Sequence, residues 1–309
     1  MKRIVALLLL AALFLSIPCA LGEVGQPSVV CTDFPCYDFA RAVIGDSANI
    51  TLLIRPGAEV HSYEPSPSDI RAIAECDLFI YIGGESDAWV DDILSSFGTA
   101  APQTLRLIDC VHTLEEETQE GMTVHEHADN ETETEYDEHI WTSPVNAGIM
   151  VGAICETLCA VSPENRESYI GNADSYKDEI AAVDTEFREI ADNAARHEMI
   201  FADRFPFLYF VREYGIDYYA AFPSCSAESE PSAKTMAYLI DKIKDDDIPV
   251  IYTIEMSNQR TAKVIAEETG AKIRTFYSIQ NVSAADFAAG ETYVSLMRKN
   301  VEALREGLN

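Results

Sequence analysis

The sequence predicts an α/β protein of two lobes, each with a mostly parallel sheet flanked by helices, and one long helix bridging the lobes. Short apolar, β-rich runs alternate with helical stretches from Pro27 onward. The alternation stops at an acidic segment and a long helical stretch of mixed charge, and it then resumes toward the end of the chain. Alternating strands and helices favour parallel strands with helices on the faces of the sheet.

The N-terminal lobe is expected to span residues 27–159. Its predicted strands are the β-rich runs at 28–34, 50–54, 78–82 and 104–108. Ser66-Pro67-Ser68-Asp69 predicts a helix start, because serine is favoured at the cap and proline in the first turn. A further helix is expected from Thr142 onward.

An acidic segment at 113–138 interrupts this pattern, with eleven Asp or Glu among twenty-six positions. We expect it to be a flexible loop, because it has too few apolar side chains to bury. A linking helix is predicted over 163–196, followed by a C-terminal lobe over 198–309. The strands of that lobe are expected at 199–202, 217–222, 250–254 and 273–277, and its closing helix at 286–306.

The first 22 residues are typical of a signal peptide. Two basic residues precede an apolar run that is shorter than the roughly 20 residues of a membrane-spanning helix, and small residues follow at Ala20 and Gly22. We therefore expect an exported protein. It would be periplasmic, or extracellular and membrane-associated if Cys19 carries a lipid.

The net charge and the cysteines limit the classes of partner. A formal charge of −30 argues against nucleic acid and anionic membrane surfaces, which would repel the chain, and suits a protein that attracts cations. The eight cysteines show no C-x-x-C and no zinc-finger spacing. This argues against a structural metal site made of cysteines.

Two of the six histidines stand where a cleft between α/β lobes would meet a ligand. His61 follows the turn-rich segment Arg55-Pro56-Gly57-Ala58, so its ring should lie at the carboxyl edge of a sheet. His139 closes the acidic loop just before the helix expected from Thr142. Imidazole is the commonest metal ligand, and the two histidines together predict a metal site in the cleft between the lobes.

These segments resemble the substrate-binding proteins of zinc and manganese ABC transporters, over nearly the whole mature chain. The resemblance is strongest at 57–69 (GAEVHSYEPSPSD) and 137–144 (DEHIWTSP). It implies two lobes bridged by a long helix, with Zn²⁺, or alternatively Mn²⁺, carried in the cleft and delivered to a membrane permease. His61 and His139 would be ligands from the first lobe, in a monomer that is not an enzyme.

The resemblance weakens in the second lobe. The family places a His or Glu where this chain has Arg204, and a guanidinium cannot ligate a cation. The last acid of the family would fall near Ser278. We nominate Asp203 as a ligand, with Arg204 forming an ion pair nearby, and Glu255 either as a ligand or as a carboxylate that orients a ligand histidine. Cys225 is a softer third choice.

Other functions stay open at this point. His125 and His127 in the acidic loop either collect zinc or are simply solvated. A secreted zinc-dependent hydrolase would also use two histidines and a carboxylate, although the chain has no H-E-x-x-H, G-x-S-x-G or Gly-rich phosphate loop. A surface adhesion protein with a structural metal is the third possibility, and it would unfold when the metal is removed.

Overall fold

The computed structural model describes residues 27–45, 49–123, 135–224 and 230–309, and these ranges contain two four-stranded parallel sheets. The first sheet has the order β2-β1-β3-β4, made by β1 Ser28–Cys31, β2 Asn49–Leu52, β3 Leu78–Tyr81 and β4 Gln103–Arg106. The two central strands are apolar and buried, whereas the edge strands alternate or are exposed. This is the pattern expected of a sheet covered by helices on both faces. The predicted signal peptide, Cys19, His125, His127 and Cys225 lie outside the described residues.

Four helices surround the first sheet: α1 Phe34–Ile44, α2 Pro67–Glu75, α3 Trp89–Phe97 and α4 Pro144–Val161. The predicted start of α2 is present, since Ser66 and Asp69 form a reciprocal capping box with Pro67 in the first turn. Among the described helices, α4 is the one that is long and apolar enough to cross a bilayer. Eight of its eighteen residues are buried and it packs against other helices, as a core helix does.

The linking helix α5 spans Arg166–Asp192 and joins the two lobes. It packs against α4 and α1 on one side and against the C-terminal helix of the chain on the other. Its buried side chains recur at helical spacing, from Tyr169 to Ile190. A single hydrophobic cluster continues through α5 from the first lobe into the second, so the lobes share a core.

The second sheet has the order β6-β5-β7-β8. Its strands are β5 Glu198–Arg204, β6 Asp217–Phe222, β7 Val250–Thr253 and β8 Lys272–Thr275, and its helices are α6 Leu208–Tyr214, α7 Ala233–Asp245, α8 Arg260–Thr269, α9 Ala284–Ala289 and α10 Tyr293–Leu308. The pairing of β5 with β6 shifts register between Phe201 and Arg204. Such an irregularity re-aims side chains, and it lies at the end of β5 that borders the cleft.

Two expectations from the sequence need correction. The closing helix is not one helix: α9 ends at Gly290, whose φ of 76° is left-handed, and Thr292 then caps α10. The described parts of the acidic loop are also not free. Glu115 bridges Tyr136, and Thr123 N donates to a carbonyl of β6 at 3.0 Å. Polar contacts with the second lobe hold residues 113–123, and the partly buried Leu114 and Met122 of this segment pack against the main hydrophobic cluster.

Candidate metal centre

His61 lies in the loop after β2, at the carboxyl edge of the first sheet as predicted. The second lobe holds this loop in place. The side-chain amide of buried Asn281 donates to the carbonyl oxygens of Arg55 and Ala58, at 2.9 and 2.8 Å. Gly57 N donates to a carbonyl of the second lobe at 2.8 Å. The position of the His61 ring therefore depends on both lobes.

His139 is fully buried and directly precedes a short 3₁₀ turn, Ile140–Thr142. Oδ1 of Asp137 accepts a hydrogen bond from the backbone N of His139 at 2.7 Å and lies 3.0 Å from its Nδ1. We assign the proton to Nδ1 from this contact. The lone pair is then on Nε2, which is buried and has no hydrogen-bond partner among the described residues. A carboxylate that orients an imidazole in this way is typical of metal sites.

A short hydrogen-bonded chain orients His61 in the same manner. Oγ of Ser86 lies 2.8 Å from Nδ1 of His61 and donates to Oε1 of Glu138. Ser86 N donates to the other carboxylate oxygen at 2.9 Å. With Ser86 donating to Glu138, its hydroxyl accepts from Nδ1 of His61, and Nε2 of His61 carries the free lone pair.

Glu138 is a candidate site residue that the sequence did not predict. One ligand atom from each of His61, Glu138 and His139 lies within 4.8 Å of the others. Atoms around a tetrahedral zinc ion are roughly 3.4 Å apart, given a Zn–N distance of about 2.1 Å, so small side-chain movements would close this group on an ion. The signal in the sequence was its position directly before His139, at the end of the acidic loop.

The two histidines differ in their affinity for a proton. Burial alone would lower the pKa of His139, but the nearby carboxylates of Asp137, Glu138 and Glu116 together outweigh it, and the pKa is raised. Burial lowers the pKa of His61, and the nearby His139 lowers it further. The ring centroids are 6.0 Å apart, so two imidazolium charges here would repel. This arrangement favours one shared cation over two protons.

The second lobe contributes Asp203 from the end of β5. Asp203 and His61 line the same cavity, which has a volume of about 100 Å³. Oδ1 of Asp203 accepts a hydrogen bond from Arg204 N at 3.0 Å, and the Ser257 side chain also interacts with this carboxylate. Oδ2 is buried without a hydrogen-bond partner in the described part of the chain. Burial raises the pKa of Asp203. An unpartnered carboxylate oxygen at this place is available to a cation.

Glu255 borders the same cavity, but both of its oxygens are engaged. Oε2 accepts from Ser278 N at 2.7 Å, and Oε1 accepts from the Ser278 hydroxyl at 2.7 Å and from Ile279 N at 2.8 Å. Ile279 has a φ of 64°, a costly conformation for a β-branched residue. The Trp141 indole donates to Ser278 O at 2.8 Å. Glu255 thus holds a strained turn that contacts the segment carrying His139.

Arg204 occupies the cavity wall beside Asp203, and it does form the expected ion pair. Its Nη2 lies 3.3 Å from Oε2 of Glu59, two residues before His61. The pair connects the two lobes across the cavity that His61 borders. Because Glu59 is half exposed, the contact is screened by solvent and contributes little to stability.

Comparison with known proteins agrees with this architecture. The family model described as ZnuA, zinc-uptake complex component A, periplasmic, matches residues 29–307. The chain belongs to this family. The predicted resemblance and the two-lobe fold with its linking helix are thereby confirmed.

Two curated relatives and one solved structure show how far the family likeness extends. The zinc-binding lipoprotein AdcA of Streptococcus pneumoniae is 32% identical over 310 residues, and the high-affinity zinc uptake system protein ZnuA of Bacillus subtilis is 30% identical over 290 residues. These alignments cover 99% and 91% of this chain, and 61% and 87% of the relatives. The crystal structure of the Zn(II)-bound ZnuA-like domain of S. pneumoniae AdcA superposes with a TM-score of 0.77 at 30% identity, covering 92% of this chain and 99% of that one. The chain therefore spans less than two thirds of the AdcA length but matches its ZnuA-like domain.

Proposed function

We propose that this chain captures a divalent transition metal, zinc before manganese, outside the cytoplasm and delivers it to the permease of an ABC transporter. The carrying observation is a pair of imidazoles, His61 and His139, whose Nδ1 atoms are both tied to hydrogen-bond partners, next to a cavity that also contains Asp203. Two imidazoles and a carboxylate suit Zn²⁺ and also accept Mn²⁺. The zinc-binding and zinc-uptake names of the relatives favour zinc.

The site offers its ligands in a state prepared for a cation. Asp137 and Glu138 hold the imidazoles in one tautomer, so the Nε2 lone pairs need no rearrangement when the ion arrives. The carboxylates offset the charge of the ion in a buried place, where an uncompensated charge is costly. Glu255 is proposed as the anchor of the Ser278 turn. We assign metal ligation to His61, His139 and Asp203.

Location and partners belong to the same proposal. The lipoprotein name of the S. pneumoniae relative supports export and surface association. Lipid attachment at Cys19, a monomeric state and the permease as partner remain predictions. A transported ion must be releasable, so stripping the metal should leave the fold intact, whereas a structural zinc would be coupled to folding.

The test is calorimetric zinc titration of a His61→Ala/His139→Ala double variant against a competing chelator. Tight binding should disappear while the circular dichroism spectrum is retained. The matched control replaces His112 and His197, both exposed, and should bind zinc as the unmodified chain does. Equal affinity in the two double variants would contradict the proposed site.

A further inference from the structure

The cavity that borders His61 contains a cationic side chain with unused hydrogen-bonding capacity. The side chain of Arg204 is only 25% exposed, and its one ion pair or side-chain hydrogen bond within the described residues is the 3.3 Å approach of Nη2 to Glu59. A guanidinium carries five N–H donors in a planar fork and has no acceptor atom. Most of these donors therefore have no protein acceptor in the described part of the chain.

A guanidinium and a divalent metal in one cavity repel each other unless an anion lies between them. Asp203 is one such anion, with Oδ2 buried and without a hydrogen-bond partner among the residues that the structure describes. Its single negative charge is less than the combined positive charge of a divalent ion and a guanidinium. Arg204 pairs best with carboxylates, because its fork matches two carboxylate oxygens at once.

The protein also leaves the coordination of the ion open. His61, His139 and Asp203 supply three donors, and a tetrahedral zinc ion takes four. Glu138 lies close to both histidines, but both of its carboxylate oxygens accept hydrogen bonds from Ser86. Glu255 is engaged with Ser278 and Ile279 through both oxygens. The cavity volume of about 100 Å³ exceeds what one water-sized group occupies, roughly 10–15 Å³. There is room for a small anion of several atoms beside the ion.

We propose that the metal is bound together with a small carboxylate or carbonate ion, one oxygen of which ligates the metal while the others pair with Arg204. This inference rests on the proposed function. The cargo is then a metal–carboxylate complex rather than a bare ion. Arg204, which cannot ligate a cation, binds the anion. Glu59 holds the guanidinium when the anion is absent, through a half-exposed contact that is easily exchanged.

The experiment measures zinc affinity in a carbonate-free, non-coordinating buffer and then in the same buffer with added bicarbonate, acetate or citrate. The concentration of free zinc is kept the same in all of these buffers. Matching the free zinc removes the effect of chelation by citrate in solution. The unmodified chain should bind zinc about tenfold more tightly, or better, with at least one of these anions, as expected for a charge-assisted bidentate contact. The most effective anion distinguishes dissolved carbonate from an organic carboxylate.

Arg204→Gln should lose this enhancement. In carbonate-free buffer it should bind bare zinc at least as tightly as the unmodified chain, because a positive charge near the ion is gone. Arg305→Gln is the matched control, since Arg305 is an exposed arginine paired with Glu302 on α10, and it should keep the full anion response. NMR of isotopically labelled bicarbonate gives a second readout, in which a bound signal should appear only with zinc and Arg204 both present.

An equal response of the unmodified chain and Arg204→Gln to every anion, or no response at all, would overturn the inference. Zinc binding that depends on His61 and His139 without any anion effect would leave the proposed function standing while removing the co-ligand. Absence of zinc binding under all conditions would remove both. Arg204→Lys, which keeps the charge but not the fork, should retain only part of the enhancement.

Discussion

Replacing Glu138 by glutamine tests how the first-lobe half of the site is organised. The Glu138 carboxylate accepts from the Ser86 hydroxyl, which lies 2.8 Å from Nδ1 of His61, and Oε1 of Glu138 is itself 3.7 Å from that nitrogen. Glutamine keeps the shape and one acceptor oxygen but removes the charge that holds the Nδ1–H tautomer. The fold should persist, because the variant is nearly isosteric, while zinc affinity should fall.

The expected loss of affinity is about 10- to 100-fold, the usual effect of losing a group that orients a ligand histidine. This corresponds to roughly 1.4–2.7 kcal/mol of binding free energy. Titration with zinc against a competing chelator measures it, with the exposed Glu75→Gln as the control. Unchanged affinity would refute the orienting role of Glu138. A loss well beyond about 100-fold would show that Glu138 ligates the ion directly.

Three further outcomes follow from the same contacts. Asp203→Asn should weaken zinc binding more than replacing His125 and His127 by alanine, because Asp203 lines the cavity and its Oδ2 has no hydrogen-bond partner among the described residues. Competitive zinc titration ranks the two variants. The reverse order would place the main site in the acidic loop. Glu255→Gln should keep zinc affinity within about tenfold. It should lower the free energy of unfolding in urea by about 1–3 kcal/mol, because the Ser278 turn loses a charged acceptor. A greater loss of zinc affinity than in Asp203→Asn would instead identify Glu255 as a ligand. Zinc affinity should fall as the pH drops below the raised pKa of metal-free His139, because a proton competes with the ion for Nε2. Protonation of His139 stabilises the metal-free fold at pH values below the ordinary histidine pKa near 6.5, and this contribution is lost as the pH rises through the raised pKa. Chelator competition and melting curves measured across pH should therefore show zinc release without unfolding. A zinc affinity that is independent of pH would contradict this.

Most of the fold could be predicted because its strands are short apolar runs. The central strands of each covered sheet are buried, so hydrophobicity locates them, whereas the more exposed edge strands follow from the alternation of strands and helices. Boundaries were harder to locate. The predicted strand at 28–34 extends beyond the real one. β1 ends at Cys31, because Asp33 already caps α1 by accepting a hydrogen bond from Cys36 N. The break at Gly290 is marked in the sequence by a glycine followed by the cap residue Thr292, a signal that the prediction of one closing helix did not use.

The site could be predicted only where residues of one segment act together. The segments containing His61 and His139 resemble those of a known family, and the structure brings the two rings to a centroid distance of 6.0 Å. The rest depends on contacts between residues far apart in the chain. Ser86 meets Glu138 across 52 positions, and Arg204 meets Glu59 across 145. No local pattern in the sequence records such pairs.

The most direct test of the metal site is anomalous diffraction from crystals of the zinc-loaded protein. We predict one zinc ion in the cleft, about 2.0–2.2 Å from Nε2 of His61, Nε2 of His139 and a carboxylate oxygen of Asp203. Glu255 should remain hydrogen-bonded to the Ser278 turn. An ion held by the acidic loop, or one that contacts neither histidine, would contradict it.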